Sequence, residues 1–537
     1  MGKLRQRHMD VRRLSSLTFT AALTVMISGC MVGPNYHPPS APVPPAFNAN
    51  DGISSAAVPP SDISYSDWWK VFHDPVLDDF EIQGDSANRD IKIAIAHVDE
   101  ATALTSSARS YLLPTVGAAP GVSRTREAQN RPNNGNTNGH AATYNDIVLP
   151  LVASYEVDAW GRLRRSLQAA RATQQASEAD LRFVRLETET TIATDYYNLR
   201  ESDQELRILD RTLADLQQGF DLTTSRFQHG LSSDLEVAQA KTLLDQTAAQ
   251  KQALEIQRAQ LEHALAVLLG RTVESLSVPI LPDNPIPPAI PVGLPADLLT
   301  RRPDIAESDR NVAAATARIG VAKAAYFPQI SLTGLLGYES TNAVSLLNWQ
   351  NTIASLAASA TAPIFTGGRL RAGVDQAQAA YRESLAQYEK TVLVSYQEVE
   401  DQLSALQYLS NQSQSQALAV ADSERTEQIA IQRYKAGLVS YLDVVFAQQS
   451  VLSNERTSSQ IAGQRMTASV VLIKSLGGGW TGSKAPNGAP RRESRLGSDR
   501  QNLVGQCSSF PGHIGVFMPA LYFLDRARES LTRVGVP

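Results

Sequence analysis

Residues able to make bonds or bind metals are few in this chain and poorly spaced for it. The eight histidines are scattered, with no His-x-x-x-His pair that would set two imidazoles on one helix face. No Gly-x-Ser-x-Gly elbow occurs, and no glycine-rich phosphate loop ends in Lys-Ser or Lys-Thr. Gly477-Gly478-Gly479 is a helix stop, not a nucleotide loop. Asp158, Glu187 and Asp195 fall on or near helices with nothing to pair them as acid and base. Two cysteines, Cys30 and Cys507, supply neither a disulfide framework nor a cysteine zinc cluster. No enzyme, cofactor or resident metal is therefore expected. One thiol does have chemistry-bearing surroundings. Basic residues run from Lys3 to Arg13, apolar ones from Leu14 to Ile27, and small Ser28 and Gly29 precede Cys30. That is the order of a secretory signal, read here as residues 1–29, with Met1 or Met9 as the start.

The ending Ile27-Ser-Gly-Cys30 resembles the bacterial lipoprotein box, in which the cysteine is acylated and becomes the mature N-terminus. Met31 follows where Asp would retain a Gram-negative lipoprotein at the inner membrane, so export to the outer membrane is implied. A covalent lipid on Cys30 tethers a chain; it makes no pore. Net charge is −5, without the basic face of a nucleic-acid binder. No window of about 18 apolar residues exists, which excludes a helical span but not the weaker hydropathy trace of a β-barrel. Residues 30–88 form a Pro/Ala/Ser-rich tether that gives way to packing at Trp68, Trp69 and Phe72.

The elements downstream are written twice. Arg226-Phe-Gln-His-Gly-Leu matches Arg433-Tyr-Lys-Ala-Gly-Leu at an offset of 207, which persists from Gly161-Arg-Leu-Arg164 to Leu269-Gly270. Further upstream the offset is 214, as in Asp90-Ile91 against Asp304-Ile305, placing roughly seven extra residues in the first copy. The polar loop Arg131–Gly139 is the natural home for them. Repeat 1 covers 89–278, a Pro-rich linker 279–302, repeat 2 303–479, and a tail 480–537 has no counterpart in the repeat. Each copy reads as a helix (89–110; 303–325), a β-hairpin (about 115–156; about 330–365), a very long helix (163–228; 370–435) and a return helix. Turns fall at Gly230 and Gly437, followed by capping boxes Ser233-x-x-Glu236 and Ser440-x-x-Asp443. The long helices contain no proline and would span roughly 100 Å.

Two functions fit this plan. A periplasmic coiled-coil rod or adhesin lipoprotein would use the helices alone, with Leu199, Leu206, Leu209 and Leu216 as its seam. A channel would use the strands. Four strands cannot close a membrane barrel, which needs about eight, so two or three chains would have to share one.

The motifs Cys30-Met-Val-Gly-Pro-Asn-Tyr36, Tyr155-Glu-Val-Asp-Ala-Trp-Gly-Arg162, Arg301-Arg-Pro-Asp-Ile305, Pro363-Ile-Phe-Thr-Gly-Gly-Arg-Leu370 and Arg433-Tyr-Lys-Ala-Gly437 resemble signatures of the TolC-like outer membrane factors. The lipidated start resembles their NodT-type efflux lipoprotein branch, and the likeness extends from about residue 14 to Trp480. It implies a mainly α fold with a small β part, and a homotrimer with a 12-strand β-barrel in the outer membrane and an α-barrel across the periplasm. It also implies a periplasmic adaptor (membrane fusion) protein, an inner-membrane RND-type pump, and drugs or toxic solutes as cargo. By the same resemblance the hairpin turns at Gly230 and Gly437 meet the adaptor. Asp443 aligns with an acidic aperture ring, Leu442 with an apolar constriction and Tyr434 with a tyrosine of the closing network. Asp443 has a second reading as a plain helix cap, and Tyr434 as helix packing. The family's second acidic ring falls at Phe446 here.

Overall fold

Asp74 accepts from the Val76 and Leu77 amides at 3.0 and 3.3 Å, and with Pro75 it starts the first helix, α1 (Pro75–Ala87). The structure is a computed structural model that describes residues 31–40, 67–128, 143–281 and 295–478, with a few positions between. The signal peptide, Cys30, the 131–139 loop and the 480–537 tail lie outside the described residues.

Repeat 1 begins after it, with α2 (Arg89–Ser110), β1 (Thr115–Ala118), β2 (Gly121–Arg126), β3 (Thr143–Val157), α3 (Arg162–Gln228) and α4 (Asp234–Leu268). After the short α5 (Leu298–Arg301), repeat 2 gives α6 (Pro303–Ala324), β4 (Gln329–Ser340), β5 (Thr352–Thr361), α7 (Arg369–Lys435) and α8 (Tyr441–Ser475). The long helices α3 and α7 have 67 residues each and the return helices 35, so the two hairpins match residue for residue at the offset of 207. At 1.5 Å per residue the long arms span about 100 Å.

Local signals explain the boundaries. Asp158 accepts from the Leu163 and Arg164 amides at 2.9 and 3.0 Å and from the Arg164 guanidinium, which fastens the start of α3. The Asn88 side chain accepts from the Asp90 and Ile91 amides and donates to the Leu268 carbonyl at 2.9 Å, tying α2 to the end of α4. Arg302 is buried and donates to both Asp304 oxygens, to Glu398 at 2.6 Å and to the Ser475 carbonyl at 3.0 Å. The Arg-Arg-Pro-Asp motif is thus the knot that joins α6, α7 and α8. Trp68, Leu77, Tyr196, Tyr197, Val392 and Ile473 share the main core, where these helices converge. Each such side chain contributes about 2 kcal/mol of burial.

The strands form one antiparallel sheet in the order β1–β3–β4–β5, with β2 also on β3. Repeat 1 therefore supplies its second strand to repeat 2's first. The first strand of the hairpin expected at about 115–156 is split, yet its register on β3 is continuous: Ala118 faces Leu151 and Gly121 faces Val148. Within the gap Pro120 and Pro150 each lack an amide donor, and Ala119 alone bonds across, to the Pro150 carbonyl at 3.1 Å. Four ladder positions per chain remain. β5 stops at Thr361 rather than Phe365 because Pro363 cannot donate.

Candidate functional site

At one end of the chain's elements lie the two helical turns. Gly230 and Gly437 adopt φ of 71° and 72°, the left-handed region that other residues avoid. The Leu231 amide reaches back to the Arg226 carbonyl at 2.8 Å and the Leu438 amide to the Arg433 carbonyl at 2.9 Å, closing both helices the same way. The caps that follow differ. The Ser440 amide and hydroxyl both donate to one oxygen of Asp443, at 3.0 and 2.8 Å. In repeat 1 Ser233 accepts from the Glu236 amide at 3.4 Å, but the Glu236 carboxylate does not return to Ser233. It accepts from the Ser232 hydroxyl and, at 3.3 Å, from the Tyr434 hydroxyl. The expected reciprocal capping box is therefore half made in repeat 1, because Tyr434 competes for the carboxylate.

Tyr434 is buried among Leu216, Leu243, Tyr441 and Val444, with the Arg226 guanidinium 5.0 Å above its ring and Tyr441 edge-on at 5.3 Å. It joins the two hairpins at their turns. Leu442, Asp443 and Phe446 occupy the opposite, exposed face of α8. The Asp443 carboxylate thus makes a cap and remains open to solvent. Arg226 and Glu236 were not singled out as site residues from sequence; the signal was their alignment with Arg433 and Asp443.

The sheet separates two chemistries. Its register puts Val116, Val122, Leu149, Leu151, Leu336 and Leu356 on one face, with Leu356 86% exposed. On the other lie Ser123, Asp146, Ser154, Ser331, Glu339 and Ser359, where the Thr115–Ser154 and Ser331–Ser359 hydroxyls pair at 2.7 and 2.9 Å. Among the described residues no strand lies beyond β1–β2 or beyond β5. Trp160 stacks on Phe327 at 4.9 Å and donates to the Pro328 carbonyl at 2.8 Å where β3 ends and β4 begins. An apolar face bounded by aromatics, backed by a polar face, is the pattern of a membrane barrel wall.

That assembly recurs in known proteins. A family model described as outer membrane efflux protein matches residues 85–271 and 294–478. This chain belongs to the outer membrane efflux protein family. The efflux protein is 31% identical over 468 residues to a probable efflux pump outer membrane protein, TtgC, of Pseudomonas putida, covering 87% of this chain and 96% of that one. It is 30% identical over 476 residues to the cation efflux system protein CusC of Escherichia coli, covering 86% and 98%. The solved Campylobacter jejuni CmeC outer membrane channel superposes with a TM-score of 0.77 at 27% identity, covering 83% and 95%.

Two further parts of the efflux protein stand out. Residues 31–40 are strapped to the foot of the sheet. The Val32 amide donates to the Trp160 carbonyl at 3.1 Å, and Arg165 donates to the Val32 and Gly33 carbonyls at 3.2 Å and to Asn35 at 2.9 Å. Gly33, at φ 98°, lies so close to Gly320 that a Cβ would meet its Cα at 2.5 Å. In the main core, burial pushes Glu189 up to about 7 despite a hydrogen bond from the Trp68 indole at 2.8 Å. Burial, then the Glu189 and Asp78 charges, hold Glu81 well above the carboxylate range. Among the described residues no group of His, Cys, Asp or Glu is arranged to hold a metal, and no helix is long and apolar enough to cross a membrane.

Proposed function

We propose that three copies of this chain close a 12-strand barrel in the outer membrane and form the exit duct of a tripartite efflux system. The observation that carries this is the sheet: four ladder positions with an apolar and a polar face and two open edges, continuous with helical arms about 100 Å long. Open edges are not tolerated in lipid, so they must be paired by further copies. The polar face then lines the duct, and the arms reach across the periplasm. A periplasmic adaptor meets the turns at Gly230 and Gly437, and an inner-membrane RND-type pump delivers small drugs or toxic solutes. Cys30 carries lipid and places the strapped N-terminus at the inner leaflet. At the turns Asp443 and Leu442 line the aperture while Tyr434 holds the hairpins together. A rod or adhesin has no use for an apolar sheet face.

Purified full-length protein in planar bilayers tests this reading. Stepwise ion conductance from a particle that amine cross-linking shows to be a trimer is the expected result. A soluble monomer, or a trimer without conductance, would overturn it.

A further inference from the structure

The apolar face of the sheet changes chemistry at one level. Every second residue of β3 from Val157 to Ile147 belongs to that face, and Tyr155, Ala153, Leu151 and Leu149 between them are all apolar. The stripe is about 34 Å long at 3.4 Å per residue, and a strand tilted by about 40° turns this into about 26 Å of height. A membrane barrel's apolar band is about 25 Å tall. Past the end of the stripe the same face carries Asn145 and Thr143 on β3 and Ser340 on β4. On β2 it carries Val122, then Arg124 and Arg126. This end of the sheet points away from the helical arms, so in a membrane barrel the two arginines stand at the polar boundary of the outer leaflet.

Both arginines are exposed, about 7 Å apart along the strand, and neither has a partner among the described residues. The acidic groups of this end belong to the other face. Asp146 and Glu339 lie there, and Glu127 accepts at 3.5 Å from Tyr144, which shares that face. A neighbouring copy joined at the open edge brings no carboxylate either, since the chain from Ser340 to Gly368, which includes all of β5 and the loop before it, has no charged residue. Apolar surface adjoins the arginines. The Ser340 hydroxyl accepts from the Asn342 amide at 3.2 Å and pairs with the Ser345 hydroxyl at 3.0 Å, which draws the 341–351 loop toward the apolar face. Leu346 of that loop lines a cavity of about 210 Å³ with Pro120, Val122, Ile147 and Leu149. Val344, Leu347 and Trp349 beside it are 93%, 68% and 77% exposed. A tryptophan among aliphatic side chains at the edge of an apolar band is a membrane-interface arrangement.

We propose that Arg124 and Arg126 bind a phosphate of the outer leaflet's acylated glycolipid (lipid A), with its acyl chains along the apolar stripe and in the cavity beside Leu346. This rests on the outer-membrane barrel proposed above and adds a lipid site to its outer wall. A phosphate monoester carries about −1.5 to −2 charge near pH 7 and three acceptor oxygens, which two planar guanidinium forks satisfy bidentately. The phosphodiester of an ordinary phospholipid carries one charge and fewer free oxygens, so the pair favours the monoester. Free phosphate would satisfy the arginines but leave Val344, Leu347, Trp349 and the cavity without apolar contact. Acyl chains supply that contact, and Trp349 then takes the boundary position between chains and sugar.

Native mass spectrometry of the full-length protein, stripped of co-purified lipid by detergent exchange, tests the site and reports oligomeric state in the same spectrum. The trimer should hold lipid A bearing both phosphates at least about ten-fold more tightly than lipid A from which both have been removed. Arg124→Gln with Arg126→Gln should abolish that preference. Arg369→Gln with Arg371→Gln, an equal loss of charge just past the opposite end of β5, should leave it intact. Leu347→Ser with Trp349→Ser should weaken both lipids and keep the preference. An intact Arg124→Gln, Arg126→Gln trimer with the wild-type preference would overturn the site. Equal retention of phosphatidylglycerol would overturn it too, since it marks a general anionic boundary. Displacement of lipid A by millimolar inorganic phosphate would overturn the lipid and leave a free-anion site. If the double variant does not assemble, the single changes Arg124→Gln and Arg126→Gln decide the matter. Each should lower the preference about three-fold, and two intact trimers without that loss would overturn the proposal. A monomeric particle would overturn the barrel reading instead, whereas a conducting trimer with no preference removes only the lipid site.

Discussion

Asp443 carries two demands on one carboxylate. One oxygen takes both Ser440 donors, while the side chain stays exposed beside Leu442 and Phe446. Asn retains capping ability, so Asp443→Asn should cost about 1 kcal/mol or less of local stability. If three such carboxylates converge within a Debye length of about 8 Å, the same change should lower cation preference in single-channel recordings. Unchanged selectivity would leave only the cap. Glu189 offers a pH test. Burial holds the folded carboxyl at about 7, above an unfolded value of about 4.3. The folded chain therefore keeps a proton that the unfolded chain has released. The associated stability is full below the unfolded value and is lost as pH rises through 7. The loss is on the order of 3 kcal/mol for the site. Glu189→Gln should leave thermal unfolding near pH 4 almost unchanged and raise the midpoint at pH 8; a parallel shift at both pH values would exclude this account. Neither Glu189 nor the Glu236–Tyr434 bond stands out in the sequence. The first depends on what buries it, and the second joins residues 198 positions apart.

At the scale of elements, the turns are the points of least freedom. Nothing lies within 4 Å of where a Gly437 Cβ would be, so Gly437→Ala is strained by its backbone alone, by about 1 kcal/mol. Hydrogen exchange at Leu438 should accelerate about five-fold while exchange in the middle of α7 holds steady. The long helices were legible because proline-free runs end in glycine and restart at serine, and the predicted 163–228 and 370–435 differ from the observed spans by one residue. The strands were less so. Two prolines at adjacent rungs, Pro150 facing Ala119 and Pro120 facing Leu149, interrupt the ladder without disturbing register, and alternation alone cannot reveal that they fall side by side. The half-made cap at Ser233 escaped for a related reason, since its competitor Tyr434 belongs to the other repeat.

For the whole molecule, the strap ties residues 31–35 to the foot of the sheet. Met31 lies against Gly161, where a Cβ would meet its side chain at 2.9 Å, and Arg165 secures the next residues. Cys30, the proposed lipidation site, directly precedes this strap in the sequence. Radioactive palmitate should label the wild type and not Cys30→Ala, while the variant still cross-links as a trimer because the barrel is itself an anchor. A labelled variant would refute acylation at Cys30. The count of four strands implied from sequence that a membrane barrel would have to be shared between chains; the unequal burial of α3 and α7, despite their matched lengths, was not legible there.

The equal lengths of the arms constrain how such a protein can gain or lose residues. One residue added to a helix turns everything beyond it by about 100°. A single deletion midway along α3 would swing Asp203 from Arg258 on α4 and Glu205 from Arg456 on α8 at once, with no loop nearby to absorb the error. Only removal in steps near two turns, about seven residues, restores the facing, and only if both arms of a hairpin lose it together. The other hairpin must then shorten equally to keep the two arms matched in length. Length in this fold changes in matched blocks of about 10 Å or not at all, whereas the Arg131–Gly139 segment can accept residues singly. A scan of one-residue deletions would read this as a silent stretch between β2 and β3 and an unbroken intolerance along α3 and α7.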